Sequence, residues 1–159
     1  RTQKIKEAKL ALAEMKVLSK DTVLTIPFTP FSPAIDGAMI AIALLEGSIL
    51  LEENDQQAAL EQFRNAVIKE AQMVYNEPRD WMLNPRHYLA NAYIIAGRLE
   101  EASKILSEDL AVNNENGWAL YGNWQVLKAQ HKSKQAARMK VRFENAFSKA
   151  DCTISGTVF

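Results

Sequence analysis

Apolar residues recur every three to four positions along most of this chain and nowhere keep the two-residue alternation of a half-buried strand. The pattern predicts an all-α protein of about seven helices. Residues 1–20 put Ile5, Ala8, Leu12 and Met15 on one face and Lys4, Lys6, Lys9, Lys16 and Lys20 largely off it, an amphipathic helix whose stripe needs a partner. In residues 21–33, Pro27, Pro30 and Pro33 alternate with Phe28 and Phe31, which predicts an extended connector with aromatics packed on a neighbour. Ser32 and Pro33 read as an N-cap and an N1 proline for the next helix.

From residue 34 the chain reads as helix pairs. Residues 34–53 are apolar on most sides, with Met39, Ile40, Ile42, Leu44, Leu45, Ile49 and Leu50, as expected of a helix buried between layers. Asn54 and Asp55 cap a helix over 56–76 that carries Leu60, Phe63, Val67 and Met73 at helical spacing. A loop from Glu77 to Trp81 follows. Asn84-Pro85 opens a helix ending near Gly97, residues 99–112 form another, and 118–130 and 133–150 complete the set. The tail, 151–159, has no period.

The pairs share a register. Gly47, Leu50, Ala59, Phe63 and Ala66 in the first correspond to Leu89, Ala90, Tyr93, the turn residue Gly97, Ala102 and Leu106 in the second, and less regularly to Trp118, Tyr121, Gly122 and Ala136 in the third. Ala102 to Ala136 is 34 residues, as is Gly97 to His131, while Ala59 to Ala102 is 43. About nine extra residues therefore sit around the Glu77–Trp81 loop. Over roughly residues 40–150 this resembles the tetratricopeptide repeat, a helix-turn-helix unit of about 34 residues. The runs Tyr75–Trp81, Pro85-Arg86-His87-Tyr88, Gly97–Ala102, Glu108-Asp109-Leu110 and Asn116–Leu120 are similar to the C-terminal repeats of a group of bacterial tetratricopeptide proteins without an established activity. Asn114 stands where the inter-repeat proline is expected, and Asp109 where a small residue is. The resemblance implies a solenoid scaffold, with 34–150 as one array of about three repeats.

It also implies a groove, lined by the first helix of each repeat, that receives a peptide or partner helix. Carried over by register, the groove residues are Ser48, His87, Asn91, Ile94, Trp118, Tyr121 and Gln125. Trp118 and Tyr121 have an equally good reading as core between repeats. The basic clamp by which family members hold a partner's terminal carboxylate is missing, because Leu44, Ser48, Trp118 and Gly122 occupy its places.

Composition narrows the partner. The 19 Lys and Arg balance the 19 Asp and Glu, so the total gives no sign of a nucleic-acid binder. The charges are segregated: residues 1–20 carry six basic and two acidic side chains, 21–127 six and fifteen, and 128–159 seven and two. This pattern leaves self-association of basic and acidic surfaces open. The basic last helix, with Lys128, Lys132, Lys134, Arg138, Lys140 and Arg142, reads as the polar outer layer of a terminal helix. Residues 34–51 are the most apolar stretch, but Asp36 and Glu46 argue against membrane insertion. The opening at Arg1 without Met suggests a fragment or processed product, with any targeting segment before Arg1 and the compartment, cytoplasm or periplasm, left open.

Catalytic signatures are sparse. Glu77, Asp80 and His87 are the residues on which a metal-assisted hydrolase would have to rest, yet their spacing fits no metal motif, and the single Cys152 reads as an incidental thiol. No phosphate loop, nucleophile elbow or cofactor motif is present. The sequence therefore predicts a non-catalytic interaction module without a cofactor. The alternative is an accessory or regulatory helical domain of a larger, enzymatic chain.

Overall fold

A computed structural model describes residues 4–75 and 80–158. The fold is all-α, with seven helices and no strand among the described residues, one isolated bridge between Phe28 and Phe31 aside. The helices are α1 (Ile5–Leu18), α2 (Ala34–Glu52), α3 (Gln56–Gln72), α4 (Pro85–Ile95), α5 (Leu99–Val112), α6 (Gly117–Ala129) and α7 (Ser133–Ala146). The contacts divide the chain into two compact units, Arg1–Pro85 and Arg86–Phe159. The boundary falls in the first turn of α4, inside the stretch read as one continuous array.

In unit 1, α2 packs against both α1 and α3, which is why it is apolar on most sides. The stripe of α1 finds its cover here: Ile5, Ala8, Leu12 and Met15 are half-buried, Lys9 reaches Glu53 at the C-cap of α2, and Lys16 reaches Glu46 within that helix. Gly47 lets α3 approach, since a Cβ there would lie 2.6 Å from Cε1 of Phe63. By length and composition alone, the 19 residues of α2 could also cross a membrane.

Two local expectations are corrected in this unit. Pro33, not Ser32, is the N-cap of α2, and the buried Ser32 hydroxyl instead accepts from the backbone N–H of Val74 at 2.8 Å. The helix α3 stops at Gln72 rather than residue 76, because the backbone is already extended at Met73 (ψ 149°), ahead of that bond. The connector also differs. It holds a 3₁₀ turn over Thr22–Thr25, capped by the Asp21 carboxylate, and Phe28 and Phe31 stack on each other at 5.3 Å, both of them exposed.

Three hairpins, α2–α3, α4–α5 and α6–α7, are closed by the same turn. Two places beyond the end of each first helix stands a residue in the left-handed region: Asn54 (φ 65°), Gly97 (φ 71°) and His131 (φ 57°). The N–H of the following residue returns to the carbonyl five places back, Asp55 to Leu50, Arg98 to Tyr93 and Lys132 to Leu127, at 2.8–2.9 Å. The N–H of the turn residue itself returns three places back, Asn54 to Leu51, Gly97 to Ile94 and His131 to Lys128, at 3.0–3.1 Å, and the pair of bonds satisfies carbonyls that a helix end would otherwise leave open. Five residues beyond each turn residue stands a buried alanine, Ala59, Ala102 or Ala136, where the returning helix comes closest. The recurrence read from spacing is thus a recurrence of backbone conformation.

In unit 2, α6 is packed by α5 on one side and α7 on the other, and its Ala119, Leu120 and Val126 are fully buried. The helix α7 ends at Ala146, four residues short of the expected 150. The tail has no regular structure, as expected of its sequence, but it returns to the body of the unit: Thr157 is only 2% exposed.

Candidate functional site

The predicted groove residues have different fates. Ser48, in unit 1, is half-buried and spends its hydroxyl on the carbonyl of Leu44 at 2.7 Å. The other six belong to unit 2. Asn91 and Ile94 on α4 and Gln125 on α6 remain partly exposed, with Gln125 donating from Nε2 to the Tyr121 hydroxyl at 2.9 Å. Tyr121 is 8% exposed and presents its ring to Trp124 and Phe143 with centroids 5.5 and 5.2 Å away. Trp118 meets Phe147 edge-on at 5.9 Å. These ring contacts of Trp118 and Tyr121 run within the third hairpin, where α7 and its C-cap bring Phe143 and Phe147 over the aromatic row of α6.

His87 needs the firmest correction. Its side chain does not line an open face but is buried, 3.0 Å from Oδ2 of Asp109, which is completely buried on α5. Oδ1 of Asp109 accepts from Asn113 Nδ2 at 2.6 Å, and Oδ2 also accepts from Asn116 Nδ2 at 3.0 Å. A carboxylate only accepts, so His87 Nε2 must carry the hydrogen, and the Asn116 Nδ2 placed 3.2 Å from that nitrogen donates to Asp109 rather than to the ring. Asn116 also caps α6, its Oδ1 accepting from the N–H of Trp118 at 3.1 Å. The cluster thus ties α4, α5 and the start of α6 together. Its polar atoms are spent on one another, which leaves the carboxylate with a structural task. In sequence, Asp109 had registered only as a departure from the small residue expected there.

The tail lies over α4 and α6. The Thr157 hydroxyl donates to the carbonyl of His87 at 3.2 Å, and its methyl group lies where a Cβ on Gly122 would come within 2.5 Å. Gly122, which occupies one of the places of the missing carboxylate clamp, has no side chain, and this leaves the seat for Thr157.

On another side of unit 2, α5, α6 and α7 frame an open cleft of about 560 Å³. Leu110, Leu127 and Met139 give it apolar wall, while Ser103, Ser107, Asn123, Gln135, Arg138 and Arg142 supply the polar groups. Arg142 is held by Glu115, through Nε at 3.1 Å and through its terminal nitrogen. Arg138 has no ion-pair partner among the described residues. Asn123 is 4% exposed, and its Nδ2 has no hydrogen-bond partner. None of these residues stood out by register. The available signal was an Asn among the buried residues of α6, eight places before the turn residue, where α4 has the buried Leu89.

The residues proposed for hydrolytic chemistry do not gain support. Glu77 lies outside the described residues. Asp80 accepts from the backbone N–H of Ser32 at 3.2 Å, and His87 is engaged as described. Among the described residues no group of three His, Cys, Asp or Glu side chains is placed to hold a metal ion. Trp81 donates from its indole to the Leu83 carbonyl at 2.6 Å and lies against Gly37. Comparison with known proteins adds no relative: no family model, no curated protein and no solved structure matches the chain.

Proposed function

We propose that the chain is a protein-interaction module of tetratricopeptide type, acting by recognition and without catalysis, and that it receives an extended segment of a partner on the face formed by α4 and α6. The observation that carries this reading is the seat of the chain's own tail. An irregular segment lies across two first helices of successive hairpins, held by a side-chain hydroxyl on a main-chain carbonyl and by a methyl group in the space above Gly122. Such contacts ask little of a ligand beyond an extended backbone and a small branched side chain, which is how helical-repeat grooves admit peptides. The common turn of the three hairpins supports the repeat assignment, and the partly exposed Asn91, Ile94 and Gln125 extend the same two helices.

Under this reading the tail is a ligand in cis, and the face becomes available in trans once the tail is absent. A synthetic peptide covering residues 151–158 should bind saturably to a chain ending at Ala150, and should shift backbone amide resonances of α4 and α6. The intact chain, whose face is filled, should bind the peptide more weakly. Asn91→Ala should reduce the affinity. A folded shortened chain that shows no saturable binding, or equal binding by the intact and shortened forms, would overturn the proposal.

A further inference from the structure

We infer that the end of α1 and the proline-rich connector dock on an anionic lipid surface, with apolar side chains entering the headgroup boundary and lysines resting on the phosphates. These residues belong to unit 1 and take no part in the tail-covered face, and no helix has to cross the bilayer.

The starting point is a concentration of uncovered apolar side chains. Val17, Leu18, Val23, Ile26, Phe28 and Phe31 all fall within residues 17–31, and each is 41–67% exposed. Leu10, also exposed, stands seven residues before Val17 and shares its face of α1, away from the stripe that packs on α2. Soluble proteins rarely leave apolar groups so concentrated at the surface unless something meets them there.

The backbone says what kind of surface fits. Pro27 and Pro30 have no N–H to satisfy. The N–H of Val23 donates to the Asp21 carboxylate at 2.9 Å, that of Leu24 to the Asp21 carbonyl at 3.2 Å, that of Ile26 to the Val23 carbonyl at 3.3 Å, and that of Phe31 to the Phe28 carbonyl at 2.6 Å. Six of the nine positions 23–31 therefore have no main-chain donor left over. The Thr25 hydroxyl likewise donates to the Thr22 carbonyl at 2.7 Å. Hydrocarbon offers no acceptor, so a segment that enters it must spend its donors internally. A protein partner exchanges hydrogen bonds across its interface and makes no such demand.

Charge selects the lipid. Residues 1–20 carry six basic and two acidic side chains. Lys6, one turn before Leu10 on the same face, and Lys20, between Leu18 and Val23 in the chain, are exposed and have no ion-pair partner among the described residues. Asp21 is the one acid within residues 17–31, and its carboxylate is spent on the cap of the 3₁₀ turn. Apolar side chains beside free lysines match the interface of an anionic bilayer, where each cation near the surface raises affinity about fivefold.

The test is co-sedimentation of the full chain with vesicles of mixed phosphatidylglycerol and phosphatidylcholine, and with vesicles of phosphatidylcholine alone. Binding to the mixed vesicles is expected, weakening as salt is raised, with affinity for phosphatidylcholine alone lower by about tenfold or more. Phe28→Ser/Phe31→Ser and Lys6→Glu/Lys20→Glu should each weaken binding to the mixed vesicles by about tenfold or more. Both change only exposed side chains, so circular dichroism should show the helices intact. Phe28→Trp should bind as the unaltered chain does and should be quenched by brominated acyl chains, a readout that attraction to the headgroups alone would not give. Absence of binding, unaltered affinity in the phenylalanine variant, equal binding to the two kinds of vesicle, or no quenching of the new tryptophan would each overturn the inference. A lipid-free chain that sediments as a dimer, and as a monomer once Phe28 and Phe31 are replaced, would assign the patch to a second copy and overturn it as well.

Discussion

Replacing Asp109 by Ala is expected to remove the acceptor on which α4, α5 and the α5–α6 turn converge. Three donors lose their partner: Nε2 of His87 at 3.0 Å, Nδ2 of Asn116 at 3.0 Å and Nδ2 of Asn113 at 2.6 Å. The two asparagines are only half-buried and can turn to water, so their loss is small. His87 cannot, being 8% exposed. A hydrogen bond to a charged group is worth about 1.5–3 kcal/mol and a stranded buried donor costs about 1–3 kcal/mol more. The sum agrees with the ~3–5 kcal/mol typical of breaking a buried pair from one side. Guanidinium unfolding followed by tryptophan fluorescence suits the measurement, because Trp118 and Trp124 both lie in unit 2. A Trp81→Phe background removes the signal from unit 1. The midpoint should fall without a change in the steepness of the transition. The double variant His87→Ala/Asp109→Ala should lose about 1–3 kcal/mol less than the two single losses together, since each single change strands the other residue. A loss below about 1 kcal/mol for Asp109→Ala, or strictly additive losses, would refute the view that this carboxylate holds the hairpin together.

Other predictions separate the physical terms. Gly97→Ala should cost about 1–2 kcal/mol from the left-handed backbone alone, since φ is 71° and nothing lies within 4 Å of the added Cβ; a neutral result in chemical denaturation would contradict the turn described. Gly47→Ala should cost about 1–3 kcal/mol through overlap with Phe63, and Phe63→Leu in the same chain should recover part of it. Leu120→Ala should lose about 2–5 kcal/mol in the same assay, because the side chain is wholly buried. Lys9→Ala and Lys16→Ala should each change stability by less than about 1 kcal/mol, because both partners of each ion pair keep contact with solvent; a larger effect at low salt that fades at 1 M salt would show that the α1–α2 contact depends on these charges.

Hydrophobic periodicity determined the helices, because an apolar stripe of period 3.6 allows few other ways to hide it. Spacing determined the hairpins as well. A small residue must stand where two helices meet, and a left-handed residue must close the turn, so Gly97 and His131, or Ala102 and Ala136, declare their equivalence without coordinates. What the sequence left undecided was the direction of polar side chains, since register places a residue on a helix face but does not say what will cover that face. His87 was read as lining a groove, yet it turns inward because Asp109, twenty-two residues later, supplies a buried acceptor. Asn123 passed unnoticed because being unpaired is a property of its surroundings, and these come from α5 and α7. The tail has no period to read, and only packing shows that Thr157 fits above Gly122. Local pattern decides which backbone forms; pairing between distant polar atoms exists only once the hairpins have brought them within hydrogen-bond distance.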